Sequence, residues 1–319
     1  MKFANISFVG HSSEKMVSFA QKLAKKGTES DLAIFDKREG DIAMSIAVPK
    51  TYPERMQPLL QSLRLSDASV LFADAVDGTL GELIVSLSTF GLPGVVVADS
   101  TISEKVFSIA KTRLPGWTML EYDDDCERKL REFIMNLEVK REEDGEFWRV
   151  DVDHSFEVKG IGTVALGIVR SGTVKVHDRV FGQPGGSEGS VRSIQIFDVD
   201  HSDAAAGSRV GLALKGMTPV QVPRGTVLTN NARFQSAKCG SLSFNREGFY
   251  KEPLEGGKII HINAGLQCVQ SRIIDAGERI DIEFDQEVAF GEEIAILFNA
   301  RPPGQLRIAG HGAISRLIA

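Results

Sequence analysis

The feature that most constrains the fold is a change of pattern near residue 140. Before this point, apolar runs such as "VLFA" and "VVVA" alternate with stretches of helical periodicity. Apolar runs placed between helices indicate a parallel sheet that is covered on both faces. We therefore predict a doubly wound α/β domain over residues 1–139.

After the charged segment "KREEDGE", short alternating runs are separated by glycine-rich turns. The runs "GTVALGIVRSGTVKVHDRVFG", "GSVRSIQIFDV" and "SRVGLALKG" are typical of an antiparallel barrel or sandwich. A second all-β block starts near Asn230, with runs such as "GKIIHINAG" and "RIDIEFD". We predict that the rest of the chain is all-β and forms two antiparallel β-barrels, over residues 146–230 and 231–319.

The composition bounds the class of protein. The chain has 319 residues, which is more than one domain with a single hydrophobic core usually contains. Its residues are 42% hydrophobic and 25% charged, as is ordinary for a globular protein. It has no apolar run long enough to cross a bilayer and no secretory signal pattern, so we expect a cytoplasmic protein with no membrane partner. The formal net charge of −6 argues against wholesale coating of nucleic acid but allows a local basic face.

The residue types that most often hold metals or act as nucleophiles are dispersed. Cys126, Cys239 and Cys268 form no CxxC pair and have no histidine at metal-ligand spacing. We therefore expect free thiols and no metal site. No Ser/His/Asp arrangement has local support either.

The stretch "GHSSEKMVS" lies between an apolar strand and a helical pattern, where a phosphate-binding loop would be. A working loop reads G-x-x-x-x-G-K-[ST], because each of its last three residues contacts phosphate or Mg²⁺. When Lys15 is aligned with the motif lysine, Glu14 replaces the second glycine and Met16 the hydroxyl residue; the ungapped register restores nothing. This altered loop comprises Gly10, His11, Ser12, Ser13, Glu14, Lys15 and Met16. The alternative is a helix N-terminus with a polar cap.

Five ordered blocks between Asp153 and Leu228 carry a resemblance to a known family. They read F-x-x-x-G-x-G-T-V, G-x-V-K-V-x-D-x-V, V-R-S-I-Q, A-G-x-R-V-G-L-A-L-K-G and R-G-x-V-L. This region resembles the second domain of translational GTPases of the EF-Tu type. Through "YPERMQPLLQSLRLSDASVLFADAVDGTLGE", the first domain is similar to the G domain of the SelB-like (selenocysteine-type) branch. The resemblance implies a translation elongation factor with a G domain and two β-barrels.

The resemblance also locates positions where the chemistry of a GTPase is altered. Tyr52 stands at the position of the histidine that orients the attacking water. The residues that replace magnesium-binding, phosphate-sensing or guanine-reading groups are Glu29, Val48, Thr51, Ala98 and Thr101. We therefore expect no catalytic residue, impaired or absent GTP hydrolysis and no bound cofactor. GTP or GDP with Mg²⁺ is the alternative.

The family's first barrel holds the aminoacyl group of a charged tRNA, and the resemblance implies such a pocket here. The positions carried over by motif are Asp153, His154, Phe156, Gln195 and Arg209. Other roles for these positions are a core phenylalanine, a strand-capping histidine and a surface Asp153–Arg209 pair.

The carboxy-terminal stretch "RPPGQLRIAGHGAISRLIA" contains arginines without an acidic residue beside them. Arginines without neighbouring carboxylates suit phosphate contact, so we expect Arg301, Arg307 and Arg316 to contact tRNA. A solvated strand is the alternative.

Three functions remain open from the sequence. The first is a SelB-like factor that binds aminoacyl-tRNA. The family resemblance alone extends this to a special one such as pyrrolysyl-tRNA. The second is an active GTP-binding elongation factor with a divergent site. The third is a non-enzymatic scaffold that associates with the ribosome.

Overall fold

The computed structural model describes residues 2–139, 141, 145–234, 236–291 and 294–316. The chain divides into two compact units. Unit 1 is Met1–Val139 together with Asn299–Ala309, and unit 2 is Lys140–Phe298 together with Gly310–Ala319. An α/β domain followed by two antiparallel barrels confirms the predicted fold class.

Unit 1 contains a seven-stranded sheet in the order β2-β3-β4-β1-β5-β6-β7. Its strands are β1 (Lys2–Gly10), β2 (Lys25–Glu29), β3 (Leu32–Glu39), β4 (Ile42–Pro49), β5 (Ala68–Ala73), β6 (Gly94–Ala98) and β7 (Thr118–Glu121). Its helices are α1 (Ser13–Leu23), α2 (Met56–Arg64), α3 (Gly78–Phe90), α4 (Ser103–Arg113) and α5 (Cys126–Asn136).

The centre of this sheet is parallel and buried. Strand β1 pairs in parallel with β4 and β5, and β6 and β7 continue the parallel order. Phe8, Phe19 and Phe72 pack against one another in the core, with ring centroids 5.3 to 6.1 Å apart. Because the parallel strands share one direction, the loops after β1, β5 and β6 leave the same edge of the sheet.

Helix α1 is shorter than its periodicity predicts. The helical pattern that follows "GHSS" in the sequence, "EKMVSFAQKLAKK", predicts a helix through Lys26. The helix ends at Leu23, because Ala24 adopts an extended backbone with φ −146° and ψ 163°. Lys25 and Lys26 then pair antiparallel with β3, at the edge of the sheet. Strand β2 is charged and exposed, as edge strands commonly are, and its residue types carry no strand signal.

Unit 2 begins with a barrel of six strands in the order β11-β16-β8-β9-β15-β12, closed by the β11–β12 pairing. Strand β13 extends the sheet beyond β12, and β10 pairs with β14. The strands are β8 (Arg149–Val158), β9 (Gly162–Ser171), β10 (Thr173–Lys175), β11 (Arg179–Gln183), β12 (Ser187–Ile196), β13 (Val199–His201), β14 (Asp203–Ala205), β15 (Arg209–Lys215) and β16 (Val227–Thr229). A 3-10 turn spans Pro219–Gln221.

The second barrel of unit 2 closes in the order β17-β20-β19-β18-β21-β22. Its strands are β17 (Ser236–Arg246), β18 (Ile259–Ala264), β19 (Gln267–Ala276), β20 (Ile280–Ala289), β21 (Ile294–Phe298) and β22 (Ile308–Arg316). After β21 the chain runs through Asn299–Ala309, which belongs to unit 1 and includes the first two residues of β22. Nothing in the sequence indicates this excursion from the predicted domain 231–319.

Across the described ranges, no helix combines the length and apolarity that a membrane crossing requires. The same residues include no group of three or more His, Cys, Asp or Glu side chains placed to hold a metal ion. Cys126, Cys239 and Cys268 form no disulfide. Burial raises the pKa of the Cys126 thiol to about 11.

Candidate functional site

The loop after β1 has the geometry of a capped helix N-terminus. The Ser12 hydroxyl accepts a hydrogen bond from the backbone N–H of Lys15 at 3.2 Å, which satisfies one of the free donors at the start of α1. Met16 is fully buried in the hydrophobic core of unit 1. Met16, one of the seven residues of the predicted loop, therefore has no atom available to a ligand at the sheet edge.

Lys15 is engaged by a carboxylate of its own chain. Its Nζ lies 2.5 Å from Oδ1 of Asp74, which follows β5, and 4.6 Å from the centre of the Tyr122 ring. Asp99, which follows β6, is also within the field of this ammonium group. The cation that would meet a phosphate is thus already paired, and the acidic side chains around it repel a polyanion.

His11 links the loops after β1 and β5. Its Nδ1 accepts the backbone N–H of Asp74 at 3.3 Å, so Nε2 carries the ring proton and donates to Oδ1 of Asp77 at 3.0 Å. Burial acts to raise the pKa of Asp77, but the hydrogen bonds from the backbone of Leu80 and from His11 outweigh it and lower that pKa. The "GH" opening therefore serves as a connection within the domain.

Three of the altered positions also have local partners. Val48 is fully buried in the core. Thr101 donates its backbone N–H and its hydroxyl to Oδ1 of Asp99, at 2.9 and 2.7 Å. Glu29 pairs with Lys26 and Lys50, and these two contacts lower the pKa of its carboxyl to about 2.

Tyr52, which the resemblance aligns with the family's catalytic histidine, is buried with 2% of its surface exposed. Its hydroxyl donates to Oε1 of Glu82 at 3.2 Å. Burial, followed by the charge of Glu82, raises the pKa of the phenol well above its ordinary value. A phenol that stays protonated and is bound to a carboxylate in the interior cannot take a proton from water.

Arg307, which we expect from the sequence to contact tRNA, is buried in unit 1. Its side chain is 1% exposed and pairs with Glu82, with Nη2 2.5 Å from Oε1 and Nε 3.0 Å from Oε2. A search for acidic residues beside Arg307 in the sequence misses Glu82, which is 225 positions away. Arg301 is half-buried and donates to Gln305 at 3.1 Å. Strand β22 includes Arg316, but the side chain of Arg316 lies outside the described residues.

The first barrel brings two of the five predicted pocket residues, His154 and Gln195, into one row of registered strand partners. Registered strand partners run in a row from His154 on β8 through Leu166, Gly211 and Gln195 to Asp200 on β13. Paired residues of antiparallel strands point to the same side of the sheet. His154 and Gln195 are both exposed, so the row lies on the outer face of the barrel. Three strand spacings separate them, which is about 14 Å.

The floor between these two side chains is apolar. Gly211 has no side chain, and a Cβ built there would lie 3.3 Å from Leu166. A parallel row places Phe156 beside Val164 and the small residue Ala213. Phe156 is 37% exposed and its ring centroid lies 5.6 Å from that of His154. We call this surface the outer groove, with His154 and Phe156 on one side and Gln195 on the other.

Asp153 and Arg209 form a buried pair at one end of the outer groove. Asp153 is the extra residue of a β-bulge in β8, and its oxygens accept Nη1 and Nη2 of Arg209 at 2.5 and 3.1 Å. The side chains are only 3% and 10% exposed, so this is not the surface pair considered from the sequence. Nε of Arg224 also donates to the backbone carbonyl of Asp153, at 2.9 Å.

Sequence reasoning missed several residues that shape these sites. Asp200 accepts a hydrogen bond from Gln195 at 2.9 Å, and Gly211 opens the floor, but both positions are found only through strand register. Asp74 and Glu82 hold Lys15 and Arg307, yet each lies far from its partner in the chain. The glycine at 211, inside the alternating run "SRVGLALKG", was the one available signal, because a glycine within a strand often marks a close approach.

Comparison with known proteins places the chain in a family. The sequence profile described as Elongation factor Tu domain 2 matches residues 162–229. The uncharacterised protein MJ0325 of Methanocaldococcus jannaschii is 32% identical over 320 residues, which cover 98% of this chain and 100% of that protein. The selenocysteine-specific elongation factor of the same organism is 25% identical over 378 residues, covering 98% of this chain and 80% of that protein.

A solved structure has the same fold. The structure of translation elongation factor SelB from Methanococcus maripaludis, in complex with the GTP analogue GppNHp, matches with a TM-score of 0.83. The match covers 100% of this chain and 80% of that chain at 21% identity. This likeness shows the fold. The profile match and the full-length similarities to MJ0325 and to the selenocysteine-specific elongation factor show that the chain belongs to the SelB-like group of EF-Tu-type translation elongation factors.

Proposed function

We propose that this chain is a cytoplasmic translation factor that binds the aminoacylated end of a charged tRNA in the outer groove and does not hydrolyse GTP. The observation that carries the proposal is the strand register that sets His154, Gly211 and Gln195 in one row. An esterified amino acid needs an apolar surface with a few polar groups at its borders. The outer groove offers Leu166 and Val164 as floor, and aromatic and amide groups at its sides.

The absence of GTP hydrolysis is proposed from the contacts of two side chains. Lys15 is paired with Asp74 at 2.5 Å, so phosphate binding would have to break an existing ion pair. Tyr52 is buried against Glu82 and cannot orient water. No other group at the described sheet edge replaces these functions, because His11 is bonded to Asp77 and Thr101 to Asp99.

The test is a binding titration with a panel of tRNAs at one fixed salt concentration. The panel contains the same tRNAs charged and uncharged, and includes selenocysteinyl- and pyrrolysyl-tRNA. We expect at least one charged tRNA to bind about tenfold or more tighter than its uncharged form. Equal and steeply salt-dependent binding of all tRNAs would contradict the proposal, because that is the behaviour of unspecific phosphate contact.

Two pairs of variants locate the binding surface. F156A removes the aromatic side of the outer groove, and F147A removes a phenylalanine of similar exposure, 44% against 37%, elsewhere in unit 2. Q195A and Q270A each remove an exposed glutamine that donates to an aspartate, at 2.9 and 3.0 Å. We expect F156A and Q195A to weaken binding of the charged tRNA by about tenfold, as stacking and hydrogen-bond losses of about 1–3 kcal/mol imply, and the controls to leave it unchanged.

Two alternatives have their own measurements. Calorimetric titration with GTP and GDP plus Mg²⁺ tests the divergent GTPase. Heat of binding together with a rise in melting temperature would support it, since a ligand selective for the native state stabilises that state. Co-sedimentation with ribosomes in the absence of tRNA would favour the scaffold.

A further inference from the structure

Among the described residues, Arg307 has the largest side chain that is fully buried. Its guanidinium and its backbone both contact one carboxylate: Nη2 and Nε bond Glu82, and the Arg307 N–H donates to Oε2 of Glu82 at 2.9 Å. Such charge-assisted, forked contacts are strong and strict in direction. The pair joins helix α3 to the segment Asn299–Ala309 within unit 1.

The same guanidinium also contacts the loop between β4 and α2. Nη1 of Arg307 donates to the backbone carbonyl of Pro53 at 2.7 Å, and its guanidinium carbon lies 5.7 Å from the centre of the Tyr52 ring. Tyr52 is in turn bound to Glu82 through its hydroxyl. Two successive residues of this loop are therefore tied to one buried ion pair.

The start of this loop is tied independently. The backbone N–H of Lys50 donates to the carbonyl of Asp31 at 2.8 Å. The Lys50 ammonium pairs with Glu29 of the edge strand β2. The loop Lys50–Arg55 is thus held at its start by β2 and the turn that follows it, and at its middle by Arg307.

The segment that supplies Arg307 has contacts of its own. The Asn299 N–H donates to the Arg307 carbonyl at 2.8 Å, and the Arg301 N–H donates to the Asn299 carbonyl at 2.9 Å. Its Gly304 carbonyl approaches the start of α3 so closely that a Cβ built on Gly78 would lie 3.2 Å from it. Backbone closure and close packing together set the position of the Arg307 side chain.

We propose that Asn299–Ala309 is a strap that holds the loop Lys50–Arg55 in one conformation, whatever binds at the carboxyl edge of the sheet. A buried charge pair suits this role, because displacing either partner leaves an uncompensated charge in the interior and disfavours intermediate positions. The proposal is independent of tRNA binding, since none of the residues involved belongs to the outer groove.

Hydrogen exchange measured by mass spectrometry on the full chain tests the strap. In the wild type, we expect GTP or GDP with Mg²⁺ to change exchange of the amides at Thr51, Tyr52, Glu54 and Arg55 by less than twofold. In R307M, we expect these amides to exchange at least tenfold faster, and the amides of β1 and β5 report the overall loss of stability that an unpaired Glu82 causes. R301M changes an arginine of the same segment, leaves the Arg307–Glu82 pair in place, and should match the wild type.

The conservative variant R307K keeps a positive charge but lacks the fork, so we expect a smaller acceleration confined to the same loop. If R307M does not fold, R307K alone still tests the proposal. A change of fivefold or more on adding nucleotide to the wild type would overturn the strap. Unchanged exchange in both variants, or a uniform rise throughout unit 1 in R307K, would overturn it too, because Arg307 would then be irrelevant to the loop or only a general core residue.

Discussion

At the scale of single residues, the start of α1 shows how polar groups typical of a phosphate site can have structural duties. Ser12 caps the helix, Lys15 pairs with Asp74, and Met16 packs in the core. A serine at this position needs no anion to explain it, since capping alone stabilises a helix. The same holds for His11, whose two ring nitrogens are both engaged within the domain.

Replacing Ser12 by alanine should therefore weaken unit 1 without any ligand present. We expect S12A to lower its free energy of unfolding by about 1 kcal/mol, because the N–H of Lys15 loses its acceptor. Trp117 lies in unit 1 and Trp148 in unit 2, so urea unfolding followed by fluorescence in a W148F background reports unit 1 alone. S13A is the matched control, since the Ser12 hydroxyl is the cap acceptor. Equal effects of the two variants would contradict a capping role.

At the scale of elements, the second barrel depends on a close approach between β17 and β22. A Cβ built on Gly312 would lie 1.7 Å from the backbone carbonyl oxygen of Ser243, where no side-chain movement can relieve the clash. We expect G312A to destabilise the second barrel by about 3 kcal/mol or more, at the upper end for overpacking. Faster hydrogen exchange of the β17 and β22 amides measures this.

The control for this substitution is G248A, because a Cβ at Gly248 would meet no atom within 4 Å. It should change exchange in the second barrel little. If G312A behaved like G248A, the two strands would not be as close as the structure places them.

The stability of the second barrel should also depend on pH. Burial lowers the pKa of His261 and of His311 below the ordinary 6.5, against the opposing charges of Asp285 and Glu247. The unfolded chain then binds more protons than the folded one as pH falls through 6.5 towards the lower folded values, so stability falls over that window and is constant above it. Thermal unfolding of the wild type and of an H261Q/H311Q variant at several pH values checks this. The variant should lose most of the pH dependence of its melting temperature below pH 6.5.

At the scale of the whole molecule, the sequence predicts whatever depends on local pattern. Apolar periodicity is enough for the α/β domain and both barrels, and the ordered blocks around Phe156 and Gln195 are enough to bring these residues to one barrel. Relations between distant residues are not accessible in this way. Gly211 faces Gln195 only through strand register, and Arg307 finds Glu82 across 225 positions. Inspecting only the residues next to Arg307 in the sequence therefore suggests an unpaired arginine, although its guanidinium is bound to a buried carboxylate.

The discontinuity of unit 1 predicts how a fragment would behave. A chain that ends at Val139 contains Glu82 and Tyr52 but lacks Arg307, so a carboxylate that is 4% exposed in the folded unit loses its counter-charge. Losing one partner of a buried ion pair costs about 3–5 kcal/mol, which lowers a melting temperature by about 10–20 °C for a domain of this size. We expect the fragment to melt that far below unit 1 of the full chain, as followed by Trp117 fluorescence.

Because an apolar side chain removes the unpaired charge, E82L should restore part of the loss in the fragment and destabilise the full chain, where it would leave Arg307 unpaired. Two outcomes would show that Asn299–Ala309 contributes little to the stability of the domain. One is a fragment with the same melting temperature as unit 1 of the full chain, and the other is an E82L substitution that shifts both melting temperatures in the same direction.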